Sequence, residues 1–164
     1  MKSKNKGFSL VELIIAMTIM AIVSYGIASF LVSGMDAWVF IKSRETGLSS
    51  ARSALERITR EVRRIKKPNN IVMAATTECA FVDINSSLVD FYQNGGNLMR
   101  SSEGVSYVLV SDLATPEGIK FTYYDSGMNA TDVRQNMRFI KARLCVIKGT
   151  ESVTLEDGAR IRNL

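Results

Sequence analysis

Between Phe8 and Met35 the sequence holds 28 residues, and Glu12 is the only charged one among them. Nothing else in the chain restricts the fold as strongly. Leu13 to Val32 alone gives 20 uncharged residues. As a helix these reach about 30 Å, the thickness of a bilayer's hydrocarbon core. The run therefore predicts a membrane-spanning helix. Its single charge then needs a reason, because a carboxylate at bilayer depth costs about 2.5–3.5 kcal/mol even on insertion scales.

A short basic stretch precedes the run, with Lys2, Lys4 and Lys6 ahead of Gly7. These lysines supply three of the five net positive charges, so a chain cut after Gly7 carries +5 − 3 = +2. Net charge thus gives no argument for nucleic-acid binding. An ordinary secretory signal would have a shorter apolar core and a small-residue cleavage site beyond it; here the run is too long and no A-x-A-like pattern closes it. A plain signal anchor accommodates the length and leaves the lysines cytoplasmic, yet it gives Glu12 no use.

The segment "KGFSLVELIIAMTIMAIV" resembles the class III signal of type IV prepilins and type II secretion pseudopilins. The resemblance implies a leader of residues 1–7, cut by a prepilin peptidase between Gly7 and Phe8, with N-methylation of the new terminus at Phe8. Glu12 then stands at the family's position for the assembly glutamate. The resemblance also implies partners: other minor and major pilins or pseudopilins docking through the helix, and an inner-membrane assembly platform. Placement follows from the same source. The protein would be single-pass in a bacterial inner membrane, N-terminus cytoplasmic and C-terminal domain periplasmic, and would later enter a pilus or pseudopilus.

Elementary electrostatics gives the carboxylate a purpose within that scheme. Cleavage would create an α-amine on Phe8, whose reference pKa is about 7.7–8.0. A neighbouring subunit's amine at 4 Å from Glu12 would gain about 4 kcal/mol at an effective dielectric of 20, comparable with the insertion penalty. Desolvation of both groups takes part of that back, so the pair sets subunit register more than it adds stability. Within the run, Gly26, Ser29 and Ser33 are small residues at three- and four-residue spacing, which permits close helix approach. Trp38 and Phe40 follow where an interfacial aromatic anchor belongs.

After Asp36 the apolar pattern changes period. Leu48, Ala51, Leu55, Ile58, Val62 and Ile65 recur at alternating three- and four-residue steps, a single stripe along a helix. Arg52, Glu56, Arg57, Arg60, Glu61, Arg63 and Arg64 are expected on the opposite, solvated face, with Glu56 and Arg60 spaced for an ion pair. The helix should run on through Lys67 and stop at Pro68. The cations between Arg52 and Lys67 offer nucleic acid as an alternative partner, but no aromatic residue is interleaved to stack bases, so a solvated face is the preferred reading. The stretch "ARSALERITREVRRI" and the closing "ARIRNL" are similar to J-type minor pseudopilins and W-type minor pilins.

Residues 71–164 read as strands. Ile119, Phe121 and Tyr123 alternate with polar residues, as do Val105, Tyr107 and Leu109. Ile140, Ala142, Leu144 and Val146 would line one face of another strand, opposite Lys141, Arg143 and Cys145. "YQNGGNL" and "LEDGARI" carry Asn-Gly and Asp-Gly turn signals, which predict two hairpins. The expectation is one antiparallel sheet of roughly five to seven strands covering the helix stripe. The same parity argument puts Cys79 and Cys145 on the non-core face, where an oxidising compartment could join them in a disulfide or leave them as two thiols. Asp125, Asn129 and Asp132 cluster in a polar loop, a weak calcium candidate without EF-hand spacing.

The sequence has no His, no SxxK and no Gly-rich phosphate loop, so no catalytic constellation and no cofactor is expected. The reading that results is α+β and pilin-like. Residues 8–35 form the transmembrane or assembly half of one long helix, 36–67 its amphipathic half, and 71–164 an antiparallel sheet domain. Its expected role is a non-catalytic minor pilin or pseudopilin at a filament tip or initiation complex, with a DNA- or surface-binding minor pilin as the alternative.

Overall fold

The computed structural model describes residues 9–148 and 151–162. The leader of residues 1–7 and the Gly7–Phe8 junction lie outside the described residues. One helix, α1, spans Leu10–Val62, and the chain divides into two compact units, Met1–Lys42 and Ser43–Leu164. The arrangement is α+β and pilin-like, one long N-terminal helix with antiparallel sheets.

In the second unit α1 buries the stripe that its periodicity foretold. Ala51, Leu55, Ile58 and Val62 are buried, joined by Ile65 just beyond the helix, while Leu48 is half-buried. The helix ends five residues earlier than expected. Arg64 and Ile65 donate their amides to the carbonyls of Glu61 and Val62, each at 3.0 Å, which tightens the last turn to three-residue spacing. Lys67 is extended at φ −143° and ψ 152°, because the Pro68 ring disfavours helical backbone in the residue before it.

Among the described residues eight strands follow in two sheets, where the sequence predicts one sheet of five to seven. β1 (Ile71–Ala74), β2 (Glu78–Val82), β3 (Leu88–Asn94), β4 (Asn97–Ser102) and β5 (Val105–Val110) form a meander in that order. β6 (Ile119–Tyr124), β7 (Phe139–Lys148) and β8 (Glu151–Arg160) form a second antiparallel sheet. The sheets separate because the segment after β5 pairs with β7 instead of returning along β5. Ala114 donates to the Cys145 carbonyl at 2.9 Å, Cys145 to that of Gly118 at 2.7 Å, and Ile147 to that of Asp112 at 2.7 Å. Gly118 cannot carry a side chain there, since a Cβ would lie 2.4 Å from the Ala114 carbonyl oxygen.

One amide holds the sheets together across this gap. Gln93 on β3 donates through Nε2 to the carbonyls of Gly95 and Ala114, both at 2.8 Å. Its Oε1 accepts from the amides of Gly118 at 2.9 Å and Ile119 at 3.2 Å. Tyr123 adds a hydroxyl 3.1 Å from the Ala75 carbonyl, and the Phe121 amide donates to Thr76 at 2.7 Å.

The Asn-Gly hairpin forms between β3 and β4, with Asn94 opposite Asn97. The Asp-Gly signal is corrected: Asp157 and Gly158 lie inside β8, opposite Ala142 and Lys141. Glycine is required there by packing, since a Cβ would meet the Phe139 ring at 2.6 Å. Phe81, Phe91 and Leu98 from the first sheet and Ile119, Ile140 and Leu144 from the second close one core with the helix stripe.

Candidate functional site

In the first unit the apolar helix covers nothing of its own. Leu10 through Phe30 presents its large side chains outward, Leu10 at 76% and Phe30 at 77% exposure. The segment is long and apolar enough to cross a membrane, at mean hydropathy 2.2. Two of its hydroxyls bond back to the helix: Thr18 donates to the Ile14 carbonyl, and Ser33 to that of Ser29 at 3.1 Å. This is how a hydroxyl is satisfied in lipid. A Cβ at Gly26 would meet nothing within 4 Å, so that face is open for a neighbour's approach.

Glu12 occupies the first turn of α1, next to a shallow groove lined by Leu13, Ala16, Met17 and Met20. Any surface that covers the groove must therefore also desolvate the carboxylate, which favours a surface bringing a cation with it. Trp38 and Phe40 remain exposed beyond the run, at 66% and 45%.

In the second unit α1 is clamped to the sheets by polar groups the sequence reading assigned to solvent. Glu61 is buried at 7% exposure. It accepts from the Arg57 Nε at 3.0 Å and, with both oxygens, from the Arg100 Nε at 2.9 Å. Both guanidinium groups lie over the Tyr107 ring, 5.2 and 5.4 Å from its centre. The expectation of a solvated Glu61 is therefore corrected. The signal was present, because position 61 follows Ile58 by three residues and precedes Ile65 by four, which places it on the buried stripe. The close ion pairs of this face among the described residues use Glu61 and not Glu56.

Two further ties reinforce the clamp. Thr59 donates to the Asp157 carboxylate at 2.9 Å. Arg64 meets buried Asp83 at 2.7 Å, and the same carboxylate accepts from the amides of Asn85 at 2.7 Å and Ser87 at 3.1 Å.

The cysteines do not pair. Cys79 and Cys145 are free thiols, Cys79 wholly buried and Cys145 half-buried. The parity expected for Cys79 is corrected: Cys79 and Phe81 point inward from β2, with Glu78 and Val82 half-exposed on the other side. Cys145 lies on the outward side of β7 in the other sheet, so the two face different environments. Burial pushes the Cys79 thiol up to about 12, which keeps it protonated and unreactive.

In the polar loop, Asp125 accepts from the amides of Gly127 at 2.8 Å and Asn129 at 2.9 Å, and these bonds hold its carboxyl below the usual range. Its oxygens thus serve the turn itself, and Asp132 makes no hydrogen bond to Asp125 or Asn129. Among the described residues no group of three or more His, Cys, Asp or Glu side chains converges as a metal site would require.

The chain matches the family described as the prokaryotic N-terminal methylation motif over residues 2–28. It therefore carries a type IV prepilin-like class III signal, with the apolar run and Glu12 inside the matched segment. No curated protein and no solved structure matches the chain.

Proposed function

We propose that this chain, a precursor with a prepilin-type methylation motif, is a non-catalytic minor subunit of a type IV pilus or type II secretion pseudopilus. The observation that carries the reading is the wholly exposed apolar helix with one carboxylate in its first turn, inside the matched motif. Such a helix needs lipid before assembly and neighbouring helices after it. Prepilin peptidase cuts between Gly7 and Phe8, and Phe8 is then methylated. The apolar half of α1 holds the subunit in the inner membrane, with the sheet domain on the extracytoplasmic side, until the assembly platform loads it. Glu12 then pairs with the terminal amine of an adjacent subunit and fixes register. The similarity of "ARSALERITREVRRI" to J-type and W-type subunits supports a place at the tip or initiation complex.

Mass spectrometry of the protein extracted from its native membrane tests this directly. The expected N-terminus is Phe8 bearing one added methyl. A working form that retains residues 1–7 would overturn the reading.

A further inference from the structure

Among the described residues, the outward positions of the three-stranded sheet are half-exposed or exposed. Its inner side carries Ile119, Phe121, Ile140, Ala142 and Leu144 into the core, and the register of β6, β7 and β8 sets nine outward positions in three rows. Lys120, Arg143 and Glu156 form the first row, and Thr122, Lys141 and Gly158 the second. Tyr124, Phe139 and Arg160 form the third. Rows two residues apart along a strand are about 6.8 Å apart, and adjacent strands about 4.8 Å.

The chemistry of this grid is one-sided. Four cations face one carboxylate, and that carboxylate, Glu156, is bound to Lys141. Lys120, Arg143 and Arg160 have no acidic partner within 4 Å among the described residues. The two rings sit side by side, their centres 6.0 Å apart and edge-on at 65°, and both are half-exposed. Phe139 lies across Gly158, where any side chain would lift it. Two hollows open nearby, one of 150 Å³ bounded by Lys120, Lys141, Arg143 and the Glu156 carboxylate, the other of 530 Å³ along the β8 edge, bounded by Phe139, Arg160 and Arg162 and reaching buried Ala159 and Ile161. Arg63 at the end of α1 adds a further guanidinium to the larger one.

We propose that this face binds single-stranded nucleic acid, phosphates against Lys120, Arg143 and Arg160 and unstacked bases against Tyr124 and Phe139. Cations beside half-exposed rings on one sheet face are what a sequence-tolerant single-strand platform requires. An acidic polypeptide would satisfy the cations and leave both rings unused. A duplex hides its base faces from them and finds no helix here to enter its major groove. Apart from Arg63, the arginines of the helix face do not form this site: Arg57 and Arg64 are engaged by Glu61 and Asp83. The inference is independent of whether the subunit joins a filament.

The test is fluorescence anisotropy of the full chain in detergent with a labelled single-stranded oligothymidylate, from about 50 to about 200 mM salt. Three phosphate contacts give a logarithmic salt slope of about −2, at about −0.7 per contact. The triple variant Lys120→Gln/Arg143→Gln/Arg160→Gln should bring that slope near zero with the melting temperature unchanged. Tyr124→Leu and, separately, Phe139→Leu should each weaken binding roughly tenfold at constant slope, as loss of one stacked base does. Arg52→Gln/Arg60→Gln on the exposed side of α1 should change nothing. No binding at the lowest salt would overturn the proposal, as would a triple variant that keeps the wild-type slope. So would a duplex or polyglutamate competing as well as the single strand, polyglutamate pointing to an acidic protein partner.

Discussion

Glu61 on α1 and Arg100 on β4 meet in the protein interior, the guanidinium Nε 2.9 Å from both carboxylate oxygens, at 9% and 12% side-chain exposure. Removing one partner of such a pair leaves a charge without water or counter-charge, which costs about 3–5 kcal/mol. Glu61→Ala should therefore destabilise the Ser43–Leu164 unit by that order in urea unfolding. The added Arg100→Ala substitution should recover part of the loss. Arg57, at 37% exposure on the same carboxylate, should cost under about 1 kcal/mol when truncated.

Glu12→Gln keeps the shape of the side chain and removes its charge. The variant should insert, be cleaved and accumulate in the membrane, yet be absent from sheared filaments or tip complexes. Immunoblotting of membrane and filament fractions reads both outcomes, and normal incorporation would remove Glu12 from the assembly role. Gly7→Ala should instead stop the chain at the uncleaved precursor.

Asp90 makes the fold sensitive to pH. Burial first, and then the nearby Glu78 carboxylate, push its carboxyl up to about 6, and its buried Oδ1 has no hydrogen-bond partner. A carboxyl whose folded pKa is raised stabilises the fold in its protonated form. That contribution is complete below the unfolded value near 3.8 and is lost as pH rises through about 6. Asp90→Asn should therefore melt above wild type at neutral pH, and the difference should close as pH falls toward 4, as thermal scans across a pH series can follow.

Gly158→Ala should destabilise the sheet domain by about 1–3 kcal/mol, because the new methyl would meet the Phe139 ring at 2.6 Å. If Phe139→Leu is introduced as well, the two costs should sum to more than the double variant loses. A strictly additive pair would place the strain elsewhere.

Both cysteines should be alkylated in denaturant without prior reduction, giving two adducts by intact mass. Under native conditions Cys79 should resist labelling, since it is fully buried and its thiol is held protonated.

The sequence shows the long patterns clearly and the tertiary ones poorly. The apolar run, the stripe from Ala51 to Ile65 and the alternation of β6 and β7 depend on near neighbours, and each appears where periodicity puts it. The division into two sheets does not, because it depends on the Asp112–Gly118 segment pairing with β7, between 27 and 35 residues downstream. Asp157-Gly158 looked like a turn because the local signal is the same whether glycine bends a chain or makes room for Phe139. Its charge alone assigns Glu61 to water, whereas register assigns it to the stripe, and its partner Arg100 lies 39 positions away. The nine-position grid was hidden in the same way, since Tyr124, Phe139 and Arg160 become neighbours only through strand pairing.

Gln93 makes four hydrogen bonds with one amide, two to carbonyls and two to amides, so none of its donor or acceptor groups is left idle. A rivet of this kind turns two plates into one. A tug on β3 arrives at the start of β6 without slack, so the sheets should yield to force together, in a single rip. The same economy makes position 93 intolerant: a shorter Asn would leave a gap, and an acidic Glu would set its negative charge against the Gly95 and Ala114 carbonyls that Gln93 now serves.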